Sequence, residues 1–290
     1  MNTSKTCLIT GCSTGGVGAS LAEAFKDNGY HVYATARSPS KVPSSLHEAS
    51  NVTVLALDVT SSESIAAAAE RVRRETGGRL DVLINNAGLG LELPALDTPI
   101  SEARRVFDSN FFAVLEMIQV FSPMLIEARG CIVNNSSVGG RIPIPFCSIY
   151  NGTKAALIQA GEGWRLELAP LGVRVITLIT GGVATNFLKN LPSVELPSNS
   201  YYLGITDIIR RQPEKIPMSI SPEAYSVSVV RQVEKGMKGK YWIGGGSTLA
   251  RWCLWLFPQW VIDRISYGQK PFAEELAAAH KRSKGRPKSS

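Results

Sequence analysis

The chain has 290 residues, 44% hydrophobic and 19% charged, enough for one sizeable core and too apolar for a disordered or fibrous protein. Its net charge is +7, but Lys281, Arg282, Lys284, Arg286 and Lys288 put five positive charges in the last ten residues; the near-neutral body lacks the basic face that nucleic-acid binding needs. Cys7, Cys12, Cys131, Cys147 and Cys253 show no CxxC spacing and the 3 histidines form no HExxH, so neither a disulfide framework nor a metal centre has support, and a reducing, intracellular compartment is expected.

In chain order, Thr6 to Thr10 reads as a strand that runs into a glycine turn, and this early start leaves no room for a signal peptide. Leu21, Ala24 and Phe25 give helical spacing from Ala19 to Asn28, and Asn28-Gly29 ends that helix. Strands follow at Tyr30 to Ala36 and Val52 to Val59. Thr60-x-x-Glu63 reads as a capping box opening an alanine-rich helix to Glu75. Leu80 to Ile84 is the fourth strand, Ser101 to Ala128 a long helix kinked at Pro123, and Cys131 to Asn135 the fifth strand. Ile149 to Ala169 is a helix and Val173 to Ile179 the sixth strand. Short apolar strands alternating with helices predict an α/β fold: a Rossmann-type doubly wound parallel sheet in a single domain, residues 1–246. Pro192, Pro197, Pro213 and Pro217 mark 185–221 as a mobile substrate segment, 247–280 as an aromatic apolar extension and 281–290 as a disordered basic tail.

The turn Thr10-Gly11-Cys12-Ser13-Thr14-Gly15-Gly16-Val17-Gly18 lies between a strand and a helix. There Gly11, Gly15, Gly16 and Gly18 let backbone N–H groups approach a pyrophosphate; a plain turn is the competing reading. Arg37 stands where the second strand ends, a place where an acid would accept the ribose hydroxyls of NAD. A basic residue there favours the 2′-phosphate of NADP(H), although a solvated arginine would look the same. Asp58, closing the third strand, is placed to accept from the adenine amino group. Asn85-Asn86-Ala87-Gly88 closes the fourth strand, with Gly88 letting backbone pass near the nicotinamide ribose.

Tyr150 and Lys154 share a helix face by their i,i+4 spacing, and Ser137 lies thirteen residues before the tyrosine. Carbonyl reduction needs a proton for oxygen, and a phenol with pKa near 10 is a poor acid–base at neutral pH unless a neighbouring ammonium favours the phenolate. Ser137 is suited to hold the substrate oxygen, and Lys154 to bond the nicotinamide ribose. Asn110 either bonds a helix carbonyl or holds a water that links Lys154 to solvent; both readings stand.

These residues carry a resemblance. From about Lys5 to Gly245 the chain resembles the classical short-chain dehydrogenase/reductase family, through the glycine turn, Asn85 to Gly88, Asn110, Ser137 and Tyr150-x-x-x-Lys154. The resemblance implies a catalytic tetrad of Asn110, Ser137, Tyr150 and Lys154. It implies cofactor contacts from Asn86, Ala87, Gly88 and Thr180 to Thr185, with Val183 N–H on the carboxamide and Thr185 on the phosphate side. The glycine turn is one residue longer than the family's, and Thr180-Gly181 stands for its usual Pro-Gly. The stretch from Ser148-Ile149-Tyr150 through Thr180-Gly181-Gly182-Val183-Ala184-Thr185, with the aromatic C-terminal segment and lysine-rich tail that follow, further resembles the fungal NADPH-dependent 1-acyldihydroxyacetone-phosphate reductases. That implies a lipid-like ketone substrate and a place on the cytoplasmic face of the endoplasmic reticulum or a lipid droplet. Reduction of a polyketide-like or steroid-like ketone in fungal secondary metabolism is the alternative. A non-catalytic cofactor-binding scaffold is a third reading, disfavoured by the complete tetrad.

Trp252 to Ile262 is too short to cross a bilayer, which takes roughly 20 apolar residues. Tryptophans favour the membrane interface, and basic residues gain about 1 kcal/mol each near anionic lipid. Peripheral membrane contact through 252–262 and the basic tail is therefore expected. A flap over the active site, or a homo-oligomer interface, is the alternative.

Overall fold

The computed structural model describes residues 4–210, 218–269 and 272–284. The elements are β1 (Thr6–Thr10), α1 (Val17–Asp27), β2 (His31–Ala36), α2 (Ser44–Glu48), β3 (Val52–Ala56), α3 (Ser62–Thr76), β4 (Val82–Asn85), α4 (Ile100–Phe107) and α5 (Ala113–Ala128). Then come β5 (Cys131–Asn135), α6 (Ser148–Leu168), β6 (Arg174–Thr180), α7 (Thr206–Arg210), α8 (Pro222–Glu234), β7 (Gly239–Ile243), α9 (Ser247–Leu256), α10 (Gln259–Gln269) and α11 (Ala273–Lys284). The strands form one parallel sheet in the order β3-β2-β1-β4-β5-β6-β7, the doubly wound arrangement expected.

Strand alternation feeds a core on each face. β1 sends Cys7 and Ile9 toward Leu21 and Phe25 of α1 and Tyr225 and Val229 of α8. Its Leu8 turns the other way, toward Ile65 and Val72 of α3, Phe121 and Leu125 of α5 and Leu157 of α6. Burial on both faces is why the strands read as nearly continuous apolar runs. The stretch Ile100–Ala128 is long and apolar enough to span a bilayer by composition, yet Val106, Met117, Phe121 and Leu125 are buried in the protein.

Local readings shift in four places. β3 ends at Ala56, so Asp58 follows the strand instead of closing it. α3 is capped by Ser61, whose hydroxyl accepts from Ser64 N at 3.2 Å, while Thr60 donates its hydroxyl to Asp58 at 2.7 Å. The expected capping residue is therefore one position early. The long helix is broken by a π turn, Asp108–Phe112, upstream of Pro123. α8 and the edge strand β7 had no counterpart in the sequence reading; α8 carries its own start signal, a Ser221 cap accepting from Ala224 N at 3.2 Å with proline next.

After β6 the chain forms short turns and α7. Here Phe146, Val194, Ile205 and Ile209 build a third apolar cluster, joined by Phe272 and Leu276 from the C-terminal part. Pro213 and Pro217, and Arg286 and Lys288 of the basic tail, lie outside the described residues. Lys281 to Lys284 finish α11.

Candidate active site

The expected cofactor residues gather at the carboxyl ends of β1, β2, β4 and β6, where open α/β sheets bind ligands. Gly11 and Gly15 have φ of +77° and +75°, backbone that disfavours any side chain. A Cβ on Gly18 would run into the Gly11 carbonyl and the Asn86 amide. Gly16 N-caps α1 without a side-chain cap, and the helix has no acid in its first turn. An uncapped, acid-free positive helix end behind a glycine turn fits an anionic pyrophosphate. Asn86 ties the two loops together: its Nδ2 donates to Thr10 O at 2.9 Å, and Asn86 N and Ala87 N both donate to Thr10 Oγ1 at 2.9 Å.

Arg37 is exposed just beyond β2. Hydrogen bonds from the Thr60 backbone and hydroxyl hold the Asp58 carboxyl below its ordinary pKa, with a smaller push from the Arg37 charge. Arg37 and Asp58 thus share one edge of the cofactor side. Val183, buried, pairs with Ile220 in an isolated bridge, and its N–H has no partner among the described residues. Thr185 turns its hydroxyl to accept from Phe187 N at 3.4 Å.

The four tetrad positions converge. Asn110 lies in the π turn, and its amide grips Leu89 from both sides, accepting from Leu89 N at 2.7 Å and donating to Leu89 O at 2.9 Å. It also donates to Thr153 Oγ1 at 3.1 Å. The partner is thus the chain leaving β4, and not the carbonyl of Asn110's own helix. A Cβ on Gly88 would sit 3.1 Å from Asn110 Oδ1 and 3.6 Å from Lys154 Nζ, so glycine there keeps these groups close. Ser137 caps a short turn after β5, accepting from Gly139 N at 3.0 Å. Lys154 is buried; its Nζ lies 5.8 Å from the Tyr150 ring centre and donates to Asn135 O at 2.9 Å.

Burial governs both titrating groups. It pushes the Tyr150 phenol up to about 12, against the Ser137 hydroxyl, which pulls it down. It lowers the Lys154 ammonium to about 8. The lowering of the phenol expected from the Lys154 spacing is not what the fold gives: burial disfavours the phenolate and raises the phenol.

Two residues that sequence reasoning passed over, Asn135 and Tyr225, join Thr180 to complete the site. Asn135 Nδ2 donates to Asn86 Oδ1 at 2.9 Å, and Asn135 Oδ1 accepts from Thr180 Oγ1 at 2.7 Å and from the Tyr225 hydroxyl at 3.3 Å. Thr180 and Tyr225 hydroxyls lie 2.8 Å apart. The Thr180 departure from the usual proline was the visible signal, because only a hydroxyl can close this network.

Above the site, the Phe187 ring lies 5.9 Å from that of Tyr150. Phe187 and Leu191 rest where a Cβ on Gly90 would be, and Asn186 N donates to Gly15 O at 3.0 Å.

The family model for short chain dehydrogenases matches residues 5–195. The chain belongs to the short-chain dehydrogenase family. It is 41% identical over 265 residues to short-chain dehydrogenase cctT of Talaromyces islandicus, covering 90% of this chain and 92% of that one. It is 40% identical over 264 residues to short-chain dehydrogenase ptmH of Penicillium ochrochloron, covering 90% and 96%. Among solved structures, a short-chain dehydrogenase from Streptomyces avermitilis matches with a TM-score of 0.74 at 28% identity, covering 99% of this chain and 100% of that one. One from Burkholderia cenocepacia in complex with NADP matches at 0.72 and 28%, covering 90% and 97%. As a short-chain dehydrogenase, this protein is a nicotinamide-dependent oxidoreductase acting on CH–OH and C=O groups. The two fungal relatives bear the general family name and not that of an acyldihydroxyacetone-phosphate reductase, so the family expectation holds and the narrower one gains no support from them.

Proposed function

We propose that this short-chain dehydrogenase is an NADPH-dependent reductase of a bulky, apolar ketone of polyketide-like or steroid-like type. NADPH, when bound, supplies the hydride. Ser137 holds the ketone oxygen, Tyr150 donates the proton to it, and Lys154 stabilises the phenolate and bonds the ribose. Asn110 fixes the strand end beside Lys154. Gly11, Gly15, Gly16 and Gly18 seat the pyrophosphate, Arg37 the 2′-phosphate and Asp58 the adenine. Asn86, Ala87, Gly88, Val183 and Thr185 line the rest.

The observation that carries the substrate class is the apolar wall beside the phenol. Phe187 stands over Tyr150 with Leu191 beside it at Gly90, and Phe146, four residues before Tyr150, anchors a further aromatic cluster with Tyr202 and Phe272, ring centres 6.1 and 4.8 Å away. An acyl phosphate would want a cation aimed at this wall. Arg210, the arginine nearest the cluster in sequence, instead spends its Nε on Val194 O at 3.0 Å. The fungal relatives favour the general ketone reductase over the lipid-phosphate reading. A scaffold without turnover has no use for a buried lysine beside a phenol. For a partner we read contact with a lipid surface through the C-terminal segment.

The test is NADPH consumption against a panel holding aromatic polyketide ketones, steroid ketones and an acyldihydroxyacetone phosphate. Preference for the first two supports the proposal. Preference for the acyl phosphate, or no ketone-dependent consumption anywhere in the panel, overturns it.

A further inference from the structure

The structure assigns a site for anionic lipid headgroups to a groove that the folded body and the C-terminal segment build together. This deepens the lipid-surface reading above by naming what meets the membrane. The groove, of about 620 Å³, is lined by Arg141, Lys240, Trp242, Arg251, Trp252 and Trp255. The last three belong to α9, as does Leu254, which completes the lining. Arg141 follows the Ser137 turn, and Lys240 and Trp242 come from β7, so the fold brings to the tryptophans a cation, Arg141, that lies far from them in sequence.

Two properties select a bilayer with negative charge as the occupant. The first is apolar display. α9 contributes only Ser247 to the buried residues. Leu249, Trp252, Trp255, Leu256, Phe257 and Trp260 are 48 to 75% exposed, and contiguous apolar surface of this kind marks an interaction site. Leu249, Trp252 and Leu256 recur three and four residues apart, on one helix face. The second is charge. Lys240 shares Glu162 at 3.5 Å, and Asp263 of the neighbouring α10 is engaged by Gln259 Nε2 at 2.8 Å. The Arg141 and Arg251 guanidinium groups meet no carboxylate among the described residues. Free guanidinium forks match lipid phosphates, and tryptophan rings suit the headgroup layer. The C-terminal segment is thus divided. Phe272 and Leu276 pack inward on the third cluster, while α9 faces out.

The experiment uses the full chain with phosphatidylcholine vesicles, with and without phosphatidylserine. Wild type should sediment with the serine-containing vesicles at low salt and be released as salt rises. Arg141→Gln with Arg251→Gln should weaken that partitioning roughly thirtyfold, the size expected of two surface charges. Thermal melting checks that these exposed substitutions leave the fold intact. Trp252→Ser with Trp255→Ser should remove the attachment that persists in high salt. Wild type remaining in the supernatant, or arginine variants binding as wild type does, overturns the assignment. So does a lipid-free dimer, seen by sedimentation velocity, that the tryptophan variant dissolves, because a second copy then covers the face. Failure of the ketone panel would leave these vesicle results unchanged, so the two readings fall separately.

Discussion

Lys154 Nζ donates to the backbone carbonyl of Asn135 at 2.9 Å, and the side chain of that same asparagine is held by Asn86, Thr180 and Tyr225. The ammonium is therefore fixed from β5, separated by β4 from the strand that leads into the glycine turn and beside the strand that carries Thr180. Thr180→Val should leave the buried Tyr225 hydroxyl and the Asn135 amide short of a partner, at a cost of about 1–3 kcal/mol. Thr180→Ser, keeping the hydroxyl, should recover most of it. Denaturant unfolding of both variants checks this, and equal stability of the two would show that the hydroxyl contributes nothing.

Removal of the phenolic hydroxyl isolates proton transfer. Tyr150→Phe should bind NADPH as wild type does and lose turnover by about 10²–10⁴-fold, the range of general acid catalysis. Coenzyme fluorescence titration together with steady-state rates measures the two effects. Turnover within a few-fold of wild type would take the phenol out of the mechanism.

Coenzyme choice should follow Arg37. Arg37→Asp replaces a charge-assisted phosphate contact with repulsion and offers an acceptor to ribose hydroxyls, so the preference should swing toward NADH by about tenfold or more. The ratio of kcat/KM for the two coenzymes reads this. Equal use of both by wild type would remove Arg37 from the assignment.

The buried lysine sets a pH dependence of stability. Lys154 drops to about 8 in the fold from 10.5, so between those values the unfolded chain holds more protons. Its cost to folding is full below about pH 8 and fades as pH rises toward 10.5. Tyr150 acts in the opposite sense and later, because its folded pKa of about 12 lies above 10.0, and its contribution declines only as pH passes 10. Lys154→Met should therefore be favoured relative to wild type near pH 7, with the difference narrowing toward about pH 10. Melting temperatures across that range test it; a difference that grows with pH would contradict it.

The strands β1 to β6 were legible because each is an apolar run bounded by turn residues, and the glycine turn and Tyr150-Lys154 pair were legible because they are local. β7 was hidden because it is only five residues long and opens on Gly239 and Lys240, which leave Tyr241, Trp242 and Ile243 too short an apolar run to read as a strand. α8 was readable from Ser221-Pro222-Glu223 and the spacing of Val229, Val230 and Val233, signals overshadowed by the prolines before them. The π turn around Asn110 was not readable, since it depends on a grip on Leu89, 21 residues away in sequence. The Asn135 network joins residues 45 and 90 positions apart, a separation that no local pattern reports. Capping by Ser61 in place of Thr60 was a one-residue ambiguity between two hydroxyls, resolved by Asp58 capturing Thr60.

Asn186 rests on Gly15 and its neighbour Phe187 leans on Tyr150, so adjacent residues touch opposite ends of the cleft. A coenzyme seated at the glycine turn should therefore position Asn186 and, through one peptide unit, the Phe187 ring beside Tyr150. From this connectivity an order of entry is expected in which coenzyme binds first, ketone second, and alcohol leaves before the oxidised coenzyme. Initial-rate patterns with product inhibition should show this compulsory order, and a random order would mean that the two ends of the cleft act independently.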